Sequence, residues 1–523
     1  MSKRGAEIRE RSLELLSRRS FDLLVIGGGI VGSRVALEAS RAGLRVALVD
    51  AGDFGGATSS ASGKLVHGGL RYLRAGRFRL VRAALRERRL LATRIAPHLV
   101  RPIPLVLATE EAGWPRHLMV AAGPLAYWAL GGLRGPAPRL PGVGPPTASL
   151  PALRTGGPCG LVEEAVTDDG RLTLATVKAA VRTGTVAANH VRVAELRRHR
   201  SGISGAVLVG REGEGTFDLR CRAVVNATGP WLDRVRLLED PKSKPATRLS
   251  KGAHLVLPLE GEWPVAIALT LRDGRHVYGV PWHGMLLIGT TDTPHEGDPG
   301  SVAPTPAEET YLLEAAARLL SGEQAHRERV LCSFAGLRVL RPGHGPTSDA
   351  SREHLVVVGP AGMVSVAGGK LTTHRLIALD ALRALPSGVR PRRLRPDLDP
   401  LPGSSPPDQR VLRSRLDAAT ARHLTELYGG EAAELLRYAA RFPDALERVH
   451  PAGPDLWAQV RHAAEEEWAM TVEDVARRRT TLAIRGLDTG IARVGISAVL
   501  GEGWPGLRPV TSGTKSFSEL RPS

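Results

Sequence analysis

The alternation of apolar and polar positions divides the chain. Leu23–Ile26 is a short unbroken apolar run closed by glycine, the pattern of a parallel strand buried on both faces. Val31, Val35 and Ala39 then recur at helical spacing and Gly43 closes that helix. Arg45–Val49 predicts a second strand, ended by Asp50. Further buried-strand runs are Val224–Asn226, His254–Leu257, His276–Val280, Met285–Ile288, His354–Val358 and Met363–Val366. Helical patterns cover Met1–Ser20, Phe78–Arg101 (interrupted at Pro97), Leu172–Arg182, Pro306–Leu320 and the stretch ending at Leu385. Residues 386–407 are a proline-rich linker. A helical segment follows, in which Gly429 and Gly430 stop one helix and Thr471 with Asp474 forms a capping box.

This order predicts an α/β chain of two or three domains, as 523 residues exceed one ordinary core. We expect a discontinuous nucleotide-binding domain over 20–105, 155–240 and 346–385. A mixed-sheet substrate cap takes 106–154 and 241–345, the linker 386–407, and a helical C-terminal domain 408–510.

Between the first strand and its helix, Gly27, Gly29 and Gly32 stand in the G-x-G-x-x-G spacing. With strand, helix, second strand and terminal acid all present, this is a dinucleotide fingerprint. Gly27 allows the turn, Gly29 lets a pyrophosphate approach the backbone, Gly32 lets helix and strand pack, and Asp50 takes ribose hydroxyls. The motif does not choose between NAD and FAD. A second glycine turn, Gly368-Gly369-Lys370, opens another helix far along the chain. Residues 52–72, dense in glycine and hydroxyl side chains, fit neither helix nor strand, and a loop of that length in such a domain points to function.

Composition narrows the classes. Three cysteines, Cys159, Cys221 and Cys332, make no C-x-x-C pair, which argues for a reducing compartment and against a disulfide scaffold. With no clustered histidines, no metal is expected. The net charge is +18, but of 71 cations only eight are lysine, an arginine bias that reflects genome composition. No basic motif is interleaved with stacking aromatics, so a nucleic-acid partner is not expected. His117–Leu133 is uncharged but broken by Pro124, too short for a spanning helix. Arginines flank it, and Tyr127 and Trp128 lie within it. It is read as either an interfacial segment or a buried one under the cap.

The fingerprint, Thr58–Tyr72, Asn226–Trp231, Lys251–His254, Ile288–Asp292, Gly368–Thr373 and Arg478-Arg479-Thr480 together resemble FAD-dependent glycerol-3-phosphate dehydrogenase. The resemblance runs in the family's order over roughly residues 20–385 and continues in the helical region. It implies a glutathione-reductase-type FAD-binding Rossmann domain, a cap like that of the amino-acid oxidases, and oxidation of sn-glycerol 3-phosphate to dihydroxyacetone phosphate. It implies a membrane quinone as electron acceptor, with oxygen in some relatives; that acceptor, the basic charge and residues 117–133 motivate the hypothesis of a cytoplasmic protein peripheral on the inner face of the cell membrane. Contact with an anionic membrane surface and a homodimer are left open. The alternative is a same-fold oxidase acting with oxygen on another hydroxy or amino compound.

The resemblance also places the site. His254 is the first choice of base, with His67 the runner-up. Arg71, Tyr72 and Arg352 would bind the phosphate. Arg338 would line the same site or polarise the hydroxyl. Lys370 would stabilise charge at the flavin N1–C2=O edge or hold substrate oxygens. Thr58, Ser59, Ser62, Lys64, Leu65, His67, Thr228, Gly229, Gly369, Leu371 and Thr372 would join Gly27, Gly29, Gly32 and Asp50 around FAD. Val339, where the family commonly has proline, and the loop 341–346 depart from its pattern.

Overall fold

The computed structural model describes residues 3–74, 76–109, 114–138, 160–199, 202–261, 263–272, 274–320, 322–343, 345, 347, 353–394 and 398–501.

The apolar runs assemble as their burial requires. Leu23–Ile26 is central in a six-stranded sheet of order Leu355–Val358, Val364–Ala367, Val224–Asn226, Leu23–Ile26, Val46–Val49, Val186–Ala188. All neighbours are parallel except the first pair. From the central strand the chain winds to one side through Val46–Val49 and Val186–Ala188. It then returns to the other side through Val224–Asn226 and Val364–Ala367. The reversal opens a crevice at the strands' carboxyl ends, where Gly27 and Ala227 lie side by side. The helices Ile30–Arg41, Asp169–Arg182 and His374–Arg383 cover one face. A four-stranded sheet and Leu16 of the helix Lys3–Arg18 cover the other.

The cap is a nine-stranded sheet built around Arg248–Pro258, which pairs with Met285–Gly289, Thr293–His295 and Cys332–Leu340. Leu255 and Leu257 feed one apolar cluster with the helix Pro306–Leu319, and Val256 feeds a second on the opposite face.

Three expectations are corrected. Val100–Thr109 and Gly160–Thr167 pair in the cap sheet, so they leave the nucleotide-binding domain to which 100–105 and 160–167 were assigned. The basic helix is α-helical only over Phe78–Leu90 and ends in a wide turn at Ile95, before Pro97. The loop 52–72 ends in a short helix, Leu70–Arg74. Residues 114–130 form a helix containing Pro124, and no described helix is long and apolar enough to cross a membrane.

Buried charges fasten the C-terminal helices to the nucleotide-binding domain. Asp53 accepts from Arg478, from Arg479 and, at 2.9 Å, from Asn189 Nδ2. Arg171 makes a bidentate pair with Glu467 at 2.7 and 2.8 Å. An ionic contact removed from water is worth little net, but removing one partner strands the other. Arg479→Met is expected to cost about 3 kcal/mol. The double variant Asp53→Asn/Arg479→Met should cost less than the sum of its singles in thermal unfolding followed by flavin release. Strict additivity would show that the pair does not hold the two units together.

Candidate active site

The glycines make the cradle. Gly27 has φ +103°, and a Cβ there would come within 2.6 Å of the Ala227 carbonyl oxygen. A Cβ on Gly32 would lie 1.8 Å from the Gly27 oxygen, so helix and strand close only on glycine. The helix Ile30–Arg41 starts at Gly29, which offers no capping side chain. Ser59 reaches across instead, its Oγ accepting from Ile30 N–H at 2.9 Å. Asp50 braces the turn, accepting from Gly28 N–H at 2.6 Å and Gly52 N–H at 2.8 Å. Burial raises its carboxyl above the usual range, opposed by these two bonds. Asp50 also lines the cavity, as the expected ribose contact requires.

That cavity, about 1920 Å³, runs from the fingerprint past Thr228 and Gly229 to His254 and Lys370. It exceeds the roughly 300–1,000 Å³ of a single drug-sized ligand. A side-chain-free cradle at a helix N-terminus and a long apolar-walled cleft fit FAD.

The loop from Thr58 is fixed by bonds to every neighbour. Thr58 Oγ1 donates to Leu337 O at 2.7 Å. Ser62 N–H donates to Asp169 at 3.0 Å, and Ser62 Oγ accepts from Lys64 N–H at 3.2 Å. Lys64 corrects the expectation of a flavin contact. Its ammonium lies behind the loop, outside the cavity wall, bound to Asp169 at 2.6 Å and Ser60 O at 2.7 Å. Leu65 and His67 do face the cavity. The Thr372 hydroxyl accepts from His67 N–H and donates to His67 O, both at 3.0 Å, tying the loop to the second glycine turn. There Gly369 has φ +88°, and Leu371 and Thr372 complete the wall.

At the far end the cap register sets the chemistry. His254 stands opposite both Gly289 and Phe334. A Cβ on Gly289 would lie 2.2 Å from His254 Cδ2, so glycine makes room for the imidazole. The ring stacks on Phe334 with centroids 5.0 Å apart. Burial, then the charges of Arg338 and Lys64, push its pKa down to about 3. Arg338, opposite Ser250, donates to Thr290 Oγ1 at 2.8 Å and Lys251 O at 3.3 Å, with the Asp292 carboxylate at 4.0 Å. Lys370 Nζ lies 3.4 Å from Gly68 O and 3.8 Å from the centre of the Tyr72 ring.

The structure thus brings His254, Arg338, Lys370, Tyr72 and His67 to one end of one cavity and leaves Lys64 out. Arg71 lies in the helix Leu70–Arg74, its side chain outside what is described, and Arg352 lies outside the described residues. Several residues at this end were missed: Tyr278, Thr290, Asp292 and Thr347. Thr290 and Asp292 stand in the run 288–292 and were within reach. Tyr278 and Thr347 carry no local signal. Arg478 also reaches the wall from the C-terminal helices. A neutral buried imidazole beside Arg338, in a cavity that Lys370 also lines, suits an anionic substrate with an oxidisable hydroxyl.

Comparison with known proteins agrees with this geometry. Residues 22–375 match the family model "FAD dependent oxidoreductase", and residues 399–495 match "C-terminal domain of alpha-glycerophosphate oxidase". A glycerol-3-phosphate dehydrogenase of Mycobacterium leprae is 36% identical over 504 residues, 93% of this chain and 85% of that one. The human mitochondrial glycerol-3-phosphate dehydrogenase is 33% identical over 514 residues, 90% of this chain and 68% of its own. The crystal structure of the glycerol-3-phosphate dehydrogenase from Bacillus halodurans, complexed with FAD, superimposes with a TM-score of 0.74. It has 27% identity and covers 95% of this chain and 94% of that one.

Two outcomes follow from the packing and the burial. Gly32→Ala should fold but retain little FAD after gel filtration, read by the flavin-to-protein absorbance ratio; full retention would refute the cradle. His254 and His374 are held down to about 3 and His98 to about 4, mainly by burial, against 6.5 for an ordinary histidine. The unfolded chain therefore binds protons that the folded chain excludes. Their stabilising contribution is complete above pH 6.5 and is lost as pH falls from there towards 3–4, so the thermal midpoint should drop across that window. A midpoint flat from pH 7 to 5 would contradict it.

Proposed function

The chain belongs to the FAD-dependent glycerol-3-phosphate dehydrogenase family, and from that membership we propose how its own residues bind and oxidise the substrate. The enzyme oxidises sn-glycerol 3-phosphate to dihydroxyacetone phosphate with FAD as cofactor. The observation that carries the residue assignment is the cavity joining the glycine cradle to a neutral, buried His254 beside Arg338, with Lys370 on the same wall.

The chemistry FAD supplies when bound is acceptance of the hydride leaving the alcohol carbon. His254 accepts the hydroxyl proton at Nε2, which lies beside Gly63 on the cavity wall. Arg338, steadied by Thr290, holds the reacting oxygen. Lys370 adds positive charge where negative charge develops. Tyr72, Arg71 and Arg352 take the phosphate, a role supported for the two arginines by motif position and for Tyr72 also by its place on the wall. Phe334 and the cap sheet exclude water from the imidazole.

A membrane quinone is the proposed acceptor, with the enzyme in the cytoplasm against the inner face of the membrane. Supporting this seat, Arg79, Arg82, Arg86 and Arg89 are exposed on the helix Phe78–Leu90, beside a helix on which Leu125 is 43% exposed. Full activity in the soluble fraction at low salt would overturn it.

Anaerobic addition of sn-glycerol 3-phosphate should bleach the flavin, and a quinone should restore it faster than oxygen. Bleaching by amino acids but not by glycerol 3-phosphate would sink the reading. His254→Asn should keep FAD yet lower kcat by about 10²–10⁴.

A further inference from the structure

Beneath the turn His67–Gly69 runs a buried polar chain that lies off the cavity wall. Gly68 N–H donates to the Tyr127 hydroxyl at 2.8 Å. That hydroxyl donates to Glu164 Oε1, and Glu164 Oε2 accepts from Arg88 at 2.7 Å. Tyr127 is 3% exposed and Glu164 2%. Gly68 permits the approach, since a Cβ there would lie 2.3 Å from the tyrosine oxygen. On the other side of the same turn, Thr372 bridges His67 and Lys370 donates to Gly68 O. The turn is therefore bound from below by Tyr127 and from above by the second glycine turn.

We propose that Tyr127, held by Glu164 and Arg88, is a positioning residue: it fixes the His67–Gly68 peptide and, through Gly68 O, the ammonium of Lys370. The inference rests on the active-site reading above. Apolar packing alone does not account for the tyrosine. Its ring sits among Leu85, Val162 and Val166, where phenylalanine would serve as well. What phenylalanine lacks is the oxygen that accepts from Gly68. Without it, that N–H loses its 2.8 Å bond and keeps only the longer contact to Glu164 Oε2 at 3.4 Å. Burial raises the Tyr127 phenol well above its usual range, so it stays protonated and donates to Glu164 while accepting from Gly68.

The test uses holoenzyme carrying Tyr127→Phe, with Glu164→Gln as a second variant and Ile491→Ala, 80% exposed on the helix Gly490–Leu500, as control. Sulfite, whose reversible addition to flavin responds to nearby positive charge, is titrated by absorbance without substrate. The constants kcat and KM for glycerol 3-phosphate are then measured separately. Tyr127→Phe should weaken sulfite binding several-fold and lower kcat about tenfold with KM little changed, short of the roughly 10²-fold that an ångström of misplacement costs. Ile491→Ala should match the wild type. Should Tyr127→Phe fail to hold flavin, Glu164→Gln decides on the same criteria. Wild-type sulfite affinity and kcat in the deciding variant, or a loss confined to the thermal midpoint, would overturn the proposal. A wild-type flavin that binds sulfite but is not reduced by glycerol 3-phosphate would instead overturn the functional reading.

Discussion

The loop 53–68 has to be ordered between two sheets with almost nothing apolar to hold it. Only Phe54, Leu65 and Val66 are large and hydrophobic along it. Three buried carboxylates take over. Asp53 anchors its start through Arg478 and Arg479, Asp169 its middle through Lys64 and Ser62 N–H, and Glu164 its end through Tyr127 and Gly68. Each acid has a cation, so each charge is compensated where water is absent. Bonds of this kind are directional and short in reach. They fix a backbone path that hydrophobic contact, which is roughly proportional to area, would leave loose.

That path explains why the C-terminal helices and the cofactor loop form one mechanical unit. Asp53 follows the turn braced by Asp50, and its arginines come from the helix end that also contributes Arg478 to the cavity wall. His190, beside Asn189 of the same cluster, bonds Asp474 at 3.0 Å, which caps that C-terminal helix through Met470 and Thr471 N–H. The cluster of Asp53, His190 and Asp474 has the spacing of a metal site. Its acids are already saturated by guanidinium groups, which explains the grouping without an ion.

Elements with local periodicity were legible in the chain, and interactions between distant segments were not. The fingerprint is a contiguous pattern of glycine and apolar spacing, so strand, turn and helix followed from it. Val100–Thr109 was missed because Pro102 and Pro104 argue against a strand. In the sheet its parallel partner begins only opposite Leu105, beyond both prolines. The antiparallel partner Gly160–Thr167 pairs along the rest. Lys64 was misread for a related reason. Its glycine-flanked setting pointed to the cofactor, while its partner Asp169 lies 105 positions away. His254 and Lys370, which stand in contiguous motifs, line the cavity, whereas Tyr278 became visible only when the cap sheet brought it there.

The depressed pKa of His254 bears on the order of events. A base held at about 3 would be a weak proton acceptor if its surroundings never changed. After burial, its depression comes from positive neighbours, Arg338 first and Lys64 second. In the proposed mechanism Arg338 holds the reacting oxygen, and negative charge developing there offsets the field that disfavours the imidazolium. Burial still keeps the resting ring neutral and free of a competing proton. In that mechanism the basicity of the imidazole rises when substrate is seated against Arg338. Lys64, bound to Asp169, keeps most of its charge compensated throughout, so Arg338 is the cation whose field the substrate changes.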